Sequence, residues 1–519
     1  MISEVPQILF SASTWAHGLL TDKPDRVLMI SDGKRITAAT LAEEVGRYRA
    51  ALNFSGIGAG QIVAISAERS VSSVAVLLAC LCEGASPFWV DSRQDHDVLS
   101  KLFDTLRIHG LYCGTSLDSN GFKARLPYLR WVGDSGSQLQ ASRINPPEPA
   151  DDASFYLHTA GTCGLPKAFQ HSAEAIEWQA KALTTALRLG AKTEVWFTGC
   201  LALSSVFALG FCAALAAGGT LVLDDPESKL NEAPRTNESQ RILLLSQTSD
   251  PSTWNADKLL RVKGKVSAIM TSDFSLSESY ATTLAQATDA AIWNGYSLAE
   301  AAGFLAVNPI PGVWPTESVG RPIGGAELES CSREGERNTL GDLGRLTYHY
   351  APAPTKVVSL TFQSKSELRA EVNVTTDWGI HDTSDFLFVV GNEKMVFYRA
   401  GFPIDAGQVE LLLRQVEGVD ESIVYALPDD EVESEVAVCV ASRNDSLDLK
   451  RIHSLSSDVP RYLLPVRVAM VEKLFRTPTG KVIRYGLPTP SKIPGPSKES
   501  KAYIAPAAAQ MPADGTSEE

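Results

Sequence analysis

The chain lacks the positive charge and the long apolar runs that would mark several classes of protein. Its 61 acidic residues outnumber its 47 lysines and arginines, giving a net charge of −14, which argues against non-specific nucleic-acid binding and a polybasic membrane anchor. No apolar run reaches the roughly 18 residues of a membrane-spanning helix, and the nearest candidate, Val206 to Leu223, is broken by glycines. The first residues carry no basic segment of a secretory signal. We therefore expect a cytoplasmic protein.

Cysteine is scarce as well. The eight cysteines are scattered, and most lie in apolar surroundings, as Cys80 and Cys82 do. A zinc site would need a second pair of ligands near this Cys-x-Cys, and none of the eight histidines forms an H-x-x-x-H or H-E-x-x-H pattern. The cysteines are interpreted as small buried hydrophobic residues of a reduced compartment.

The length and the pattern of the chain predict an α/β fold of more than one domain. At 519 residues, with 44% hydrophobic and 21% charged residues, the chain is too long for one core and has an ordinary globular composition. Short apolar segments alternate with helical patterns as far as Gly303, which predicts layered, mainly parallel sheets covered by helices. Beyond Gly303 short strands dominate and form a small β subdomain. We expect a large N-terminal domain over residues 1–391, a small mobile α+β domain over 392–487 and a disordered tail over 488–519.

One hairpin is predicted near the boundary of these domains. The runs Phe386 to Val390 and Met395 to Tyr398 both have strand character, and Gly391-Asn392-Glu393 lies between them. Two such runs joined by a short polar segment with glycine are typical of a β-hairpin.

A nine-residue stretch, Thr159 to Lys167, stands out between an apolar strand-like run and a helical pattern. It reads T-A-G-T-C-G-L-P-K. Small residues let the backbone approach an anion, N–H groups and hydroxyls donate hydrogen bonds to it, and lysine supplies charge. The spacing differs from the G-x-x-x-x-G-K-[ST] of P-loop nucleotide hydrolases. Taken alone, the stretch is as consistent with an ordinary glycine turn as with a phosphate loop.

Seven further motifs follow this stretch in chain order. They are N-G-Y-S-L-A-E at 294–300, S-V-G-R-P at 318–322, G-D-L at 341–343, T-T-D at 375–377, G-F-P-I with G-Q-V-E within 401–410, P-R-Y-L-L-P at 460–465 and R-T-P-T-G-K at 476–481. Together the eight motifs resemble those of the adenylate-forming superfamily. That superfamily comprises acyl-CoA and aryl-CoA synthetases, adenylation domains of non-ribosomal peptide synthetases, and luciferases. The resemblance spans roughly residues 10–487.

The resemblance implies that ATP and Mg²⁺ activate a carboxylic acid as an acyl-adenylate, with pyrophosphate leaving. It assigns the phosphates of ATP to a set of loop residues, Thr159, Gly161, Thr162, Gly164 and Lys167. Glu300 would bind Mg²⁺, and Tyr296 and Asp377 would contact the nucleotide, Asp377 through the ribose hydroxyls. Lys481 would reach the α-phosphate and the carboxylate, and Lys394 would be the hinge of the mobile domain that carries it.

Each of these residues also has an ordinary interpretation. Glu300 opens an alanine-rich helical pattern, where a glutamate commonly stabilises the start of a helix. Asp377 precedes Trp378-Gly379, as turn residues do, and Lys481 is typical of a solvated loop. The order and spacing of the motifs favour the functional interpretation.

Several positions depart from the family pattern. Ala160, Cys163 and Ala299 replace hydroxyl residues, and Asn392 replaces an arginine that contacts the ribose. A lost hydrogen bond to a charged group costs about 1.5–3 kcal/mol, so slower adenylation is expected. The alternative is a catalytically weak relative that binds an acyl ligand or joins a biosynthetic assembly.

The acyl pocket is predicted from the segment 201–207 and from residues around the second motif. Amino-acid-activating domains usually carry an aspartate in this segment as the counter-charge of the substrate ammonium, and the segment L-A-L-S-S-V-F has none, so an α-amino acid is not expected. The predicted pocket residues, which suit an apolar or aromatic acid, are Ser205, Phe207, Trp293, Ser297 and Phe304.

The acyl acceptor stays open at this stage. It is the thiol of CoA, the phosphopantetheine of an acyl carrier protein, or an amine in an amide-forming ligase. The short run from Lys167 to Ser172 resembles divergent acyl-AMP ligases of pigment and secondary-metabolite pathways.

Overall fold

The computed structural model describes residues 11–94, 96–115, 130–131, 155–159, 166–230, 239–245, 256–272, 276, 278–308, 315, 318–332, 335–349, 351–359, 373–392, 395–399, 402–413, 416, 418–429, 433–442, 460–476, 482–484, 487–488 and 490–492. The strands are β1 (Val27–Ser31), β2 (Lys34–Thr37), β3 (Ile62–Ser66), β4 (Ser86–Val90), β5 (Gly110–Tyr112), β6 (Arg130–Trp131), β7 (Phe155–His158), β8 (Lys167–His171), β9 (Thr193–Phe197), β10 (Thr220–Val222), β11 (Gln240–Leu245), β12 (Ala268–Thr271), β13 (Ala291–Leu298), β14 (Gly303–Val307), β15 (Arg321–Pro322), β16 (Glu327–Cys331), β17 (Gly344–His349), β18 (Lys356–Ser359), β19 (Asn373–His381), β20 (Leu387–Asn392), β21 (Val396–Arg399), β22 (Phe402–Asp405), β23 (Glu421–Asp429), β24 (Glu433–Ala441), β25 (Arg467–Val471) and β26 (Ser491–Lys492).

Helices separate many of these strands. The α-helices are Ala12–Thr21, Ala38–Phe54, Val71–Cys82, His96–Leu106, Ala173–Leu187, Ser204–Val206, Pro226–Lys229, Ala256–Arg261, Glu278–Thr288 and Ala406–Leu413, with a π-helix at Phe207–Ala214 and a 3₁₀-helix at Arg461–Leu463. No helix in the described ranges is long and apolar enough to cross a membrane.

The chain divides into two compact units. The first contains Met1–Val396 and Phe475–Gly486, and the second contains Phe397–Leu474 and Leu487–Glu519. The predicted domain boundary after Gly391 lies shortly before the point where the first unit ends.

The largest sheet of the first unit runs in the order β15-β14-β13-β12-β11-β9-β10-β1-β2. From β13 to β1 each neighbouring pair is parallel, and antiparallel strands close both edges. A second sheet runs in the order β18-β8-β7-β4-β3-β5-β6, with parallel pairs from β7 to β6 and antiparallel β8 and β18 at one edge.

Helices fill the space between these two sheets and cover their outer faces. One hydrophobic cluster joins residues of both sheets to the first three helices, to helix Ala173–Leu187 and to the π-helix. Because side chains alternate along a strand, Val63 and Ile65 of β3 face this cluster, whereas Ile62 and Ala64 face helix His96–Leu106. Helices Ala256–Arg261 and Glu278–Thr288 cover the outer face of the larger sheet. The predicted layered α/β fold is therefore confirmed.

A smaller antiparallel sheet, in the order β16-β17-β19-β20, corrects the hairpin prediction. β20 pairs with β19 rather than with β21, and β21 pairs with β22. The turn that joins β19 to β20 brings these two strands together, because Asp382 Oδ1 accepts hydrogen bonds from Ser384 N at 2.9 Å and Phe386 N at 2.8 Å. Such an aspartate turn reverses the chain just before β20.

The second unit contains a mixed sheet in the order β23-β24-β25-β26. β24 is antiparallel to β23 and parallel to β25, and Val424 N donates to Glu410 Oε1 of helix Ala406–Leu413 at 2.8 Å. Ser491 and Lys492 pair with β25, so a short strand lies within the predicted disordered tail. The sequence pattern of Lys450 to Leu455 also predicts a short helix, and this segment lies outside the described residues.

Candidate active site

The strand β13 carries three predicted site residues, Trp293, Tyr296 and Ser297, past the parallel part of the larger sheet. Residues up to Asn294 pair with the parallel strand β12, and Gly295 to Leu298 pair with the antiparallel strand β14. Tyr296 and Ser297 thus lie beyond the carboxyl end of the parallel strands, where ligands bind in open α/β sheets.

Glu300 lies in the turn that joins β13 to β14. The expectation that it opens a helix is wrong, since residues 299–302 form a turn and β14 begins at Gly303. Ala302 has a φ of 58° and Gly303 a φ of 148°, which no helix contains. A Cβ on Gly303 would also overlap Ala208, so the turn requires glycine there.

Two side chains stabilise this turn through hydrogen bonds to consecutive backbone carbonyls. His171 Nε2 lies 2.7 Å from Ala299 O, and Tyr348 Oη donates to Glu300 O at 3.1 Å. Because a carbonyl only accepts, His171 donates from Nε2, and its Nδ1 is buried with no hydrogen-bond partner among the described residues. Burial lowers the pKa of His171 to about 4, despite the hydrogen bond to Ala299 O. The imidazole is therefore neutral at pH 7.

Gln179 holds the other end of the same turn. Its Nε2 donates to Ala301 O at 3.0 Å and to Phe304 O at 3.1 Å, and its Oε1 accepts from Phe304 N at 3.2 Å. Gln179 is fully buried. We name the three side chains His171, Tyr348 and Gln179 the carbonyl clamp, since they bind the carbonyls of three successive residues, Ala299 to Ala301.

Tyr296 and Asp377 meet although they come from motifs far apart in the chain. Tyr296 Oη donates to Asp377 Oδ2 at 2.7 Å, and both side chains are buried. Burial and then the negative charge of Asp377 raise the pKa of Tyr296 well above its usual range, so its phenol remains a donor. Asp377 lies inside β19 rather than in a turn, and its backbone N donates to Thr375 Oγ1 at 3.0 Å.

The first residue of the N-G-Y motif ties the strands around the site together. Asn294 Oδ1 accepts from Thr271 Oγ1 at 2.6 Å, and its Nδ2 donates to Ser318 O at 3.3 Å. Asn294 N donates to Asn308 Oδ1 at 2.7 Å. The amide therefore links β13 to its neighbour β12 and to the S-V-G-R-P motif.

The S-V-G-R-P motif in turn joins the larger sheet to the small antiparallel sheet. Ser318 Oγ donates to Leu387 O at 3.0 Å, and Gly320 bridges the same residue of β20. Gly320 has a φ of 97°, and a Cβ there would overlap the backbone of Val307. This glycine is needed for the close approach of the two sheets.

The ends of the predicted phosphate loop are closed by two hydrogen bonds. Thr159 N donates to Lys167 O at 3.0 Å, and Lys167 N donates to Thr159 Oγ1 at 3.1 Å. The predicted site residues that lie outside the described parts of the chain are Gly161, Thr162, Gly164, Lys394 and Lys481. Arg476 and Val482, on either side of the R-T-x-x-G-K lysine, form an antiparallel bridge and belong to the first unit.

Aromatic side chains line up beside the clamp. The ring of Phe155 stacks on His171 at 5.3 Å and lies 4.7 Å from Phe207, the first residue of the π-helix. Phe304 is buried in β14 and closes over Gly295, where a Cβ would come within 2.9 Å of its ring. π-Helical segments occur frequently at functional sites.

The carboxylate of Glu300 fits a magnesium ion of the kind that the sequence predicts. Its negative charge contributes, after burial, to the raised pKa of Tyr348, and it also acts on Tyr296. The described residues contain no group of three or more His, Cys, Asp or Glu that could hold a metal ion by themselves. Proteins commonly bind Mg²⁺ through one or two carboxylates together with substrate phosphates, and a single glutamate meets that requirement.

The clamp residues had no predicted role. One signal for Gln179 was available, because this amide interrupts the apolar face that Ile176, Ala180 and Leu183 form on its helix. A buried amide in such a face must find hydrogen-bond partners. Nothing in the local sequence pointed to Tyr348.

The chain is similar to known proteins over most of its length. The family model of AMP-binding enzymes matches residues 19–349. Tyrocidine synthase 2 of Brevibacillus parabrevis is 23% identical over 96% of this chain but only 14% of its own length. Oxalate–CoA ligase of Arabidopsis thaliana is 23% identical over 89% of this chain and 95% of its own.

Solved structures show the same fold. The o-succinylbenzoate CoA synthetase of Bacillus subtilis, in complex with its acyl-adenylate intermediate, is 16% identical with a TM-score of 0.78, covering 92% of this chain and 99% of its own. The same synthetase in complex with ATP and magnesium ion gives a TM-score of 0.77, at 16% identity over 91% of this chain and 98% of its own.

Proposed function

The chain belongs to the family of AMP-binding enzymes, and we propose that it activates a carboxylic acid with ATP and passes the acyl group to a thiol. One observation above all supports this proposal. The turn that carries Glu300 is fixed by the carbonyl clamp, beside the buried bond between Tyr296 and Asp377. A site of this kind holds a carboxylate and a hydrogen-bonding pair in set positions before any ligand arrives.

The chemistry needs positioning and charge more than covalent help from the protein. A carboxylate oxygen attacks the α-phosphorus of ATP, the bond from that phosphorus to the bridging oxygen breaks, and pyrophosphate leaves with the electron pair. The product is an acyl-adenylate, whose carbonyl is open to a thiol. Bringing two anions together costs energy that fixed donors and cations offset.

The residues have separate tasks in this proposal. Glu300 would hold Mg²⁺, which neutralises phosphate charge when bound. Asp377, oriented by Tyr296, would accept from the ribose hydroxyls, and Thr159 and Lys167 would bind the outer phosphates together with the loop between them. Lys481 would contact the α-phosphate and the carboxylate.

The substrate is proposed to be an apolar or aromatic acid and not an α-amino acid. Phe207 and Phe304 are buried beside the clamp, and the helix Ser204–Val206 carries no acidic residue as a counter-charge for an ammonium group. The acceptor is proposed to be the thiol of CoA or of a carrier-protein phosphopantetheine. The chain spans only a small part of several relatives, such as 14% of the length of the tyrocidine synthase. The proposal concerns acid activation and acyl transfer alone.

Pyrophosphate release over a panel of aliphatic, aromatic and amino acids tests the proposal. We expect release with at least one acid, and acyl-AMP detected by mass spectrometry. Glu300→Gln is expected to lower the rate about 100-fold or more, whereas Glu177→Gln, on the surface of helix Ala173–Leu187, should retain it. If no acid gives release above background and ATP produces no thermal shift, the chain is not a ligase.

The role of Lys481 is tested separately. Lys481→Ala should lose acyl-adenylate formation but still transfer the acyl group from supplied acyl-adenylate to a thiol. The exposed Lys473 provides a control, since Lys473→Ala should leave both half-reactions intact. Survival of both half-reactions in Lys481→Ala would contradict the assignment of this lysine.

A further inference from the structure

Two serines from separate elements meet at the predicted acyl pocket. Ser204 begins the short helix Ser204–Val206, Ser297 lies in β13, and their Oγ atoms are 3.0 Å apart. Both side chains are partly exposed. Neither hydroxyl has a further hydrogen-bond partner within the described parts of the chain.

The pair has one O–H to spare whichever serine donates. Two hydroxyls carry two hydrogens, and their mutual hydrogen bond uses one of them. The hydroxyl of the next residue, Ser205, makes no hydrogen bond to any described residue either, although Ser205 is only 4% exposed. This segment therefore presents donors that nothing in the described protein satisfies.

Trp293 adds a donor on the same strand as Ser297. Its Nε1 is buried without a hydrogen-bond partner among the described residues, and the whole side chain is 5% exposed. An indole N–H donates and never accepts. The indole lies four residues before Ser297 along β13 and is counted separately. We name the serines Ser204, Ser205 and Ser297 the donor group, since all three offer hydrogens and none carries charge.

We propose that the acid bound here carries an uncharged oxygen substituent on an otherwise apolar body, such as a ring hydroxyl or keto oxygen. This inference rests on the proposed function and names the substrate class. An acid with such an oxygen accepts from the donor group, whereas its deoxy analogue covers these hydroxyls without offering them an acceptor. Sites built to hydrogen-bond a substrate hydroxyl reject the analogue that lacks it by far more than a pocket rejects a missing methylene.

Calorimetric titration of matched acids tests this proposal directly. The pairs are benzoate with 4-hydroxybenzoate and cinnamate with 4-hydroxycinnamate, added to the full chain without ATP. We expect at least about 10-fold tighter binding of the hydroxylated acid in one pair. Ser297→Ala and Ser204→Ala should each cut that ratio at least threefold.

A second hydroxyl pair of the chain provides the control. Thr37 Oγ1 and Thr40 Oγ1 also lie 3.0 Å apart, but on the surface at the start of helix Ala38–Phe54. Thr40→Ala should keep the wild-type ratio, and circular dichroism melting checks that each variant folds.

The outcomes separate this inference from the proposed function. Equal binding of both members of each pair, no binding of any of these acids, or an unchanged ratio in both serine variants overturns the inference, even where acids yield pyrophosphate. A preference for the hydroxylated acid that falls in the serine variants, with neither pyrophosphate from any acid nor a thermal shift with ATP, supports the inference and refutes the ligase.

Discussion

Replacing Gln179 with leucine tests whether the carbonyl clamp fixes the turn that carries Glu300. Gln179 is fully buried and makes three hydrogen bonds to Ala301 and Phe304. Leucine has a similar volume and suits the apolar face of the helix, but it has no polar atom. The substitution therefore removes all three hydrogen bonds and little of the packing.

The expected loss follows from those three hydrogen bonds. Each contributes about 1 kcal/mol net, and a buried partner that stays unpaired costs more. We expect Gln179→Leu to lower the free energy of unfolding by about 3–5 kcal/mol. If the freed turn moves the Glu300 carboxylate by about 1 Å, the rate of adenylation should fall about 100-fold.

Urea denaturation and pyrophosphate release at varied Mg²⁺ concentration measure the two effects. Lys181→Leu is the matched control, because Lys181 lies on the same helix with its side chain 75% exposed and pairs only at the surface with Glu177. Its effect should stay below about 1 kcal/mol. The clamp does not fix this turn if the unfolding free energy of Gln179→Leu lies within about 1 kcal/mol of that of the control, or if its adenylation rate and Mg²⁺ dependence match those of the control.

Three further predictions concern single residues of the site. Because the pKa of His171 in the folded chain is about 4, below its ordinary 6.5, its stabilising contribution is complete above pH 6.5. It should be lost as the pH falls towards 4. The unfolding free energy, measured with urea, should therefore drop less between pH 7 and pH 4 in His171→Gln than in the wild type, by about 3 kcal/mol. Tyr296→Phe removes the donor to Asp377 and should lower the unfolding free energy by about 1.5–3 kcal/mol. We also expect a higher KM for ATP in pyrophosphate-release assays, and an unchanged KM would contradict the nucleotide role proposed for Asp377. Gly320→Ala should lower the unfolding free energy by at least about 1–3 kcal/mol, because its positive φ and its contact with Val307 exclude a Cβ; a melting temperature equal to that of the wild type would show that the backbone relaxes.

The elements of the parallel sheets could be predicted because their sequences determine them locally. Helix Val71–Cys82 and strand Ser86–Val90 have the bounds that their apolar runs predict, and Ser70 caps the helix by accepting from Ser73 N. Burial on both faces leaves a continuous hydrophobic signal in such strands.

The two wrong structural predictions, the helix at Glu300 and the hairpin after β20, fall where residues distant in the chain decide the local structure. The alanine-rich turn at Glu300 has high helix propensity. The clamp side chains, which come from three other elements, nevertheless hydrogen-bond its backbone carbonyls and keep it from forming a helix. Similarly, β21 pairs with β22, which follows it in the chain, and β20 pairs with β19 across the aspartate turn at Asp382.

The motifs located Tyr296 and Asp377 but not the bond between them, which joins positions 81 residues apart. The clamp could not be predicted for the same reason, because the local sequence around a buried glutamine or tyrosine does not indicate which distant carbonyl accepts its hydrogen bond. Only Gln179 gave a local indication, because its amide lies on an apolar helix face and must find hydrogen-bond partners there.

We expect the departures from the family pattern to weaken the proposed nucleotide contacts more than the framework. Ala299 lacks the hydroxyl of the pattern, yet its backbone carbonyl still accepts from His171, so the turn at Glu300 keeps its support. Asn392 lacks the guanidinium of the pattern but pairs with Asp377 in the ladder between β19 and β20. One lost hydrogen bond to a phosphate costs about 1.5–3 kcal/mol, or about 10- to 150-fold in rate. Such a loss should slow adenylation while leaving the charged groups that we propose for the reaction in place, so the expected outcome of the pyrophosphate assay is a slow ligase.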